Sequence, residues 1–198
     1  LTLSVEDPLR FRVTLTGTLP LLMHNAQLAD PLNVHARGMK AASAKRKKTD
    51  ADHEDMARLE FLGGLYYDPD AGPFIPGDNL QRCLVDAAKL TRSGRQVTRG
   101  VFISTDINPV AYRGPRDPAA LWADENFRHR KSVKVGMARV MRTRPMFQNW
   151  SVDAEGELDE TELNLEELQQ ISDAAGARIG LGDWRPRFGR FTATVEEL

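Results

Sequence analysis

Leu9–Leu19, LRFRVTLTGTL, sets Phe11, Val13 and Leu15 against Arg12, Thr14 and Thr16. Strict alternation is the period of a strand buried on one face and wet on the other. Such a strand cannot stand alone, because its apolar face must be covered by helices or by a second sheet. Later segments have the spacing to cover it. PGDNLQRCLVDAAKL repeats Leu80, Cys83, Leu84 and Ala87 at helical intervals, with Asp78 or Asn79 as its cap. DETELNLEELQQISDAAG turns Leu165, Leu168 and Ile171 inward and stops at Gly176. DHEDMARLEFLGGLYYD places Met56, Leu59 and Leu62 on one helical face and ends at Gly63-Gly64.

Further strands are predicted in GVFISTDINP, in KSVKVG, in the long ARVMRTRPMFQNWSV with a bend near Pro145, and in the closing FGRFTATV. A small hairpin joins Tyr66–Tyr67 to Phe74–Ile75 through DPDAGP. The order is strand, helices, strand, strands, helix, strand, the β-α-β-β-α-β plan of a ferredoxin-like (RRM-like) α+β domain. Residues 20–53 and 107–130 are then insertions in one domain spanning 1–198, a length suited to a single core. PLLMHNAQLADPLNVHARG and MKAASAKRKKTDADHED carry no core signal. Over residues 27–52 they predict a basic arm, mobile alone and ordered on a ligand.

The net charge of −1 says little; its distribution says more. Arg128–Arg144 holds seven Lys/Arg and no acid, Arg37–Lys48 holds six and no acid, and Ser151–Asp173 holds nine Asp/Glu and no Lys/Arg. Segregated charge sets local fields; either run alone is equally a solvated surface with no partner, but the two acid-free runs together with the arginines of Gly180–Phe191 point to a polyanion. Period two puts Arg142 and Arg144 on one strand face, about 7 Å apart and within reach of a sugar-phosphate backbone. Lys131, Lys134 and Arg139, on the same two strands, are further nucleic-acid-binding candidates, and Arg37, Lys40, Lys45, Arg46, Lys47 and Lys48 give the arm the charge to close over a bound strand. Phe147 and Trp150, beside the basic strands, are the stacking candidates.

Enzyme signatures are absent. HEDMA at His53 has alanine where a zinc protease needs its second histidine, and no glycine-rich phosphate loop with its lysine occurs. His24, His35 and His129 are not spaced with a carboxylate partner. No catalytic residue, metal ligand or cofactor is predicted. The single Cys83 forms no internal disulfide, and no apolar run nears the ~20 residues that cross a bilayer. With no signal-peptide layout at the start, a cytoplasmic protein with no membrane partner is expected.

GLGDWRPRFGRF, Gly180–Phe191, gathers three glycines and three arginines around one tryptophan just before the last strand. This segment resembles the glycine-rich loop before the last strand in the RAMP superfamily, which includes backbone subunits of CRISPR effector complexes. FIPGDNLQRCLVDAAK resembles the same superfamily's strand-to-helix turn, an aliphatic-Ile-Pro-Gly-Ser-Ser-Leu-Lys-Gly pattern. With TLPLLMHNAQLADP and VMRTRPMFQNW, the order is most similar to RAMP-like single-stranded DNA-binding proteins of bacteriophages, which act beside recombinases and annealing proteins. The chain departs at Asp78-Asn79-Leu80-Gln81-Arg82, where the lysine is lost, so guide-RNA binding at that turn is not carried over.

The resemblance implies a phage-encoded protein of the host-cell cytoplasm that coats single-stranded DNA without sequence preference, as a head-to-tail oligomer. In it Gly77, Gly180, Gly182 and Gly189 would set loop geometry, and Arg185, Arg187 and Arg190, with His24 and Asn25, would meet phosphate. Trp184 would pin the loop. The alternatives are a CRISPR-type subunit on guide RNA, a metal-independent RNA-processing nuclease using His24 or His129, and a structural phage component meeting an acidic protein.

Overall fold

A computed structural model describes residues 7–198. Its elements are β1 (Leu9–Gly17), β2 (Leu21–Leu22), α1 (Val34–Ser43), α2 (Asp50–Gly64), β3 (Tyr67–Asp68), β4 (Gly72–Pro76), α3 (Gly77–Ala88) and α4 (Gly94–Gly100). They continue with β5 (Val101–Ile103), β6 (Ile107–Pro109), α5 (Pro118–Ala123), β7 (Arg128–Val135), β8 (Ala138–Phe147), β9 (Ser151–Leu158), α6 (Leu165–Ala174) and β10 (Phe191–Glu197). The chain is mixed α+β with antiparallel sheets.

The principal sheet has the order β10-β1-β9-β5. The alternation of β1 is realised as predicted: Phe11, Val13 and Leu15 are buried, paired in register with Gly156, Ala154 and Val152 of β9. Helices α3 and α6 cover this face with Leu80, Cys83, Leu84, Ala87, Leu168 and Ile171, in one apolar cluster with the strands. Each fully buried Leu or Phe contributes about 2 kcal/mol. The other face is open and polar. Arg10 and Arg12 of β1 lie beside Asp153, Glu155 and Glu157 of β9 and Glu196 of β10, and Glu155 bonds both arginines, at 3.4 and 2.7 Å.

Two smaller sheets, β2-β8-β7 and β3-β4-β6, complete the molecule. In the first, β8 is the middle strand and β7–β8 is a long hairpin.

Several expectations need correction. GVFISTDINP is two strands in different sheets, because β5 pairs with β9 and β6 with β4. The seven-residue α4 before it was not anticipated. The long strand expected over ARVMRTRPMFQNWSV is broken after Phe147: β8 ends there, and Ser151-Val152 begin β9, the partner of β1 in another sheet, whose remainder was not anticipated. The segment expected as a structureless arm contains α1, capped by Asn33, whose side chain accepts from the backbone N–H groups of His35 and Ala36. Helix α2 buries Ala57, Glu60, Phe61 and Gly64 rather than Met56, Leu59 and Leu62; Leu59 instead lies over Gly38 of α1. Helix α3 has no side-chain cap. Gly176 does not stop α6: a π-helical turn over Ala175–Ile179 carries it to Gly180. Among the described residues no helix is long and apolar enough to cross a membrane.

Candidate nucleic-acid interface

Directly opposed residues of an antiparallel pair share a face. The register of the hairpin therefore sets Lys131 beside Arg142 and Lys134 beside Arg139. Like charges in that position destabilise a hairpin by a few tenths of a kcal/mol to about 1 kcal/mol. Lys131, Lys134 and Arg139 are exposed, and among the described residues none of the three is in an ion pair. The tip, with Met137 fully exposed, stands clear of the body.

At the base of the hairpin the arginines behave differently. Glu60 of α2, 5% exposed, accepts from the Thr143 backbone N–H at 2.8 Å, from Arg144 Nη1 at 2.7 Å and from Arg142 Nη1 at 3.1 Å. Arg144 Nε donates to Asp183 of the glycine-rich loop at 2.8 Å. Arg144, 8% exposed and held by two carboxylates, is not available to phosphate, which corrects its assignment. Arg142 shares Glu60 but keeps 35% of its side chain exposed, so it remains at the surface. Sequence reasoning missed Glu60, because an acid on an apolar helix face gives no signal of its own.

The glycine-rich loop lies against this hairpin. Gly180, Gly182 and Gly189 have φ of 76°, 75° and 70°, which side chains disfavour. A Cβ on Gly182 would lie 2.1 Å from the Leu22 carbonyl oxygen, and one on Gly189 1.8 Å from that of Leu181. The close approach is thus to the chain's own backbone. The Asp183 N–H donates to Leu22 O, and the Gly189 N–H to Pro20 O. Gly77 likewise passes the Thr105 carbonyl. Cys83 donates through sulfur to Gly180 O at 3.3 Å, and burial pushes its thiol up to about 12, so it is packing material.

On the loop's hairpin side, Trp184 and Phe188 meet His129 of β7 edge to face, at ring separations of 5.3 and 5.1 Å. Burial first, then the positive charges of Lys131, Arg144 and Arg187, lower the His129 pKa. Those charges converge on one place from β7, β8 and the loop. Arg185, Arg187 and Arg190 are exposed, with Arg190 Nε also donating to Pro186 O. His24 and Arg185 line a small cleft with Asn79, Arg82 and Asp183.

Two of the arm's lysines are engaged locally. Lys45 is paired with Asp52, which that ammonium and the Thr49 N–H and hydroxyl hold down to about 2. Lys48 donates to Lys45 O. Asp52 precedes Glu60 by eight residues, about 12 Å along the helix. A cleft of about 660 Å³ is lined by Asp50 and Glu54 of α2 together with Arg128 and Arg130 of β7, so carboxylates stand among the basic residues there. Arg46 and Lys47 are exposed at the arm's tip; Arg37 and Lys40 are exposed on α1, with Arg37 donating weakly to Pro31 O. Asn25 caps a short turn through Gln27 N and donates to Leu65 O, so it is structural.

Phe147 and Trp150, expected to stack on bases, are 1% and 3% exposed. Phe147 packs edge to face with Tyr112 and Phe127, and Trp150 lies over Gly17 with its indole N–H donating to Leu19 O. The half-buried aromatics beside the basic hairpin are Trp184 and Phe188 instead. The open face of the principal sheet, rich in carboxylates, is no polyanion platform. Among the described residues, no group of three or more His, Cys, Asp and Glu is placed to hold a metal ion. No family model and no curated protein matches the sequence.

Proposed function

We propose that this protein binds single-stranded DNA along the β7–β8 hairpin and the glycine-rich loop, without base preference and without chemistry of its own. The observation that carries this reading is the like-charged pair Lys131 and Arg142, on the hairpin face that His129 shares with the glycine-rich loop, with Arg187 of that loop beside the same histidine; the second pair, Lys134 with Arg139, lies on the opposite face near the tip. A phosphate backbone relieves their mutual repulsion and releases counterions on binding. The aromatic pair beside His129 offers limited stacking, consistent with binding in which charge dominates.

The architecture supports a RAMP-like reading. In its favour, the strand order β10-β1-β9-β5 matches the 4-1-3-2 order expected of a ferredoxin-like sheet when α3 and α6 are taken as the two crossover helices and the hairpin as an insertion. On this reading copies line up head to tail along the strand, acidic sheet face to basic neighbour, beside recombination or annealing machinery in a phage-infected cell.

Fluorescence anisotropy with labelled oligothymidylate across a salt series tests the proposal. Binding should weaken steeply with salt, and Lys131→Ala with Arg187→Ala should flatten the log–log slope by about 1.4, at about 0.7 per single-strand contact. Salt-independent affinity, or none, refutes it. Tighter binding to a matched RNA would favour a guide-RNA subunit instead.

A further inference from the structure

A second basic surface lies away from the hairpin. Between Asp86 and Asp106 the chain carries Lys89, Arg92, Arg95 and Arg99 and no acid. The end of α3 and the whole of α4 fold these four around one shallow depression of about 360 Å³, with Val85, Gly94 and Thr98 between them. A Cβ on Gly94 would come within 2.9 Å of the Lys89 stem, so the glycine lets that stem lie across the start of α4. Helix α4 packs on α3 and β5, whereas the hairpin packs on α2 and β2.

The charges here are only half answered. Lys89 bonds Asp86 at 2.8 Å, and Arg99 lies 3.6 Å from Glu162 with 67% of its side chain exposed. Among the described residues Arg92 and Arg95, both exposed, are in no ion pair. Arg92 is also held at φ 67°, left-handed backbone that favours glycine or asparagine and costs another residue about 1 kcal/mol. A long cation is thus kept where the backbone alone would select a different residue.

The shape and chemistry narrow the ligand. The depression is open, has no aromatic lining to take a base, and presents guanidinium forks, which match phosphate oxygens two at a time. Arg95 and Arg99, four residues apart, share a helix face about 6 Å apart along the axis, a spacing suited to successive phosphates.

We infer that this depression is a second polynucleotide site, taking the phosphate backbone of a separate single strand while the hairpin and loop hold the first. The inference rests on the reading of hairpin and loop as a DNA interface. One molecule would then bring two strands together.

Two oligothymidylates, one carrying a donor dye and one an acceptor, cannot pair with each other, so energy transfer between them reports bridging. The wild-type protein should produce transfer. Arg92→Glu with Arg95→Glu should reduce it by about tenfold or more at low salt while leaving anisotropy-measured affinity for one strand within about twofold. Arg92→Gly relieves the backbone and should melt no lower than wild type, yet bridge less. Single-strand binding without transfer, or undiminished transfer in the Glu double variant, overturns this inference alone. A change in sedimentation of the DNA-free double variant that accounts for the lost transfer overturns it in favour of a contact between copies. A wild type that binds no strand defeats the DNA reading as well.

Discussion

Glu60 stands where an apolar side chain would continue the stripe made by Ala57 and Phe61, and it holds β8 in place instead. A buried carboxylate persists only when its oxygens are satisfied, and here a backbone N–H and two guanidinium groups do so. Removing one partner leaves the others charged and dry. Glu60→Ala should therefore cost about 3–5 kcal/mol in urea denaturation. Single-strand affinity of the folded fraction should not fall, because Arg142 is released toward solvent. A variant as stable as wild type, or one with a clear loss of affinity, would show that Glu60 does not organise these arginines. The same geometry explains why spacing alone misjudged Arg144. Period two places it correctly beside Arg142, but the acids that capture it come from α2 and from the loop, 84 and 39 residues away in sequence.

The glycine-rich loop is an element held by its own backbone. Gly189→Ala would add a side chain at φ 70°, with the Leu181 carbonyl oxygen 1.8 Å from the new carbon. Strain of this kind costs about 1–3 kcal/mol before the clash is counted. The expected outcome is a lower denaturation midpoint together with altered tryptophan emission as Trp184 leaves His129. An unchanged midpoint would mean that the loop relaxes freely. Elements with strong periodicity, β1, α3 and α6, were legible in the sequence. Strand β9 was not, because its inward positions Val152, Ala154 and Gly156 are small and its outward ones mostly acidic, so its alternation resembles a solvated linker. Helix α1 was missed because it buries no residue, and β5 and β6 merged because one apolar run crosses two sheets. Of the interface, the basic hairpin and the loop arginines could be read from composition. The burial of Phe147 and Trp150 could not, since aromatic residues beside charged strands serve core and surface alike.

At the scale of the molecule, the histidines make stability depend on pH in one direction. Burial is the first cause lowering the pKa of His24, His35 and His129, reinforced respectively by Arg144, by Arg58, and by Lys131 with its basic neighbours. The unfolded chain takes up protons near 6.5 while the folded one resists, so stability rises with pH across the interval just below 6.5 and falls on acidification. Much further down, near 2, protonation of Asp52 breaks the cap of α2. Urea midpoints measured on either side of pH 6.5 should differ in that sense, and His129→Gln should flatten the profile; an unchanged profile would exclude His129 as a contributor.

Under the DNA binding proposed above, the open face of the principal sheet has a consequence for how a strand first meets this protein. Four carboxylates against two guanidinium groups make that side repel what the hairpin attracts. A monomer drifting toward a charged strand therefore feels a torque that turns it hairpin first, so fewer collisions are wasted on the wrong side. That orienting pull reaches only about 8 Å at physiological ionic strength, which makes the speed of capture, as well as its strength, a function of salt.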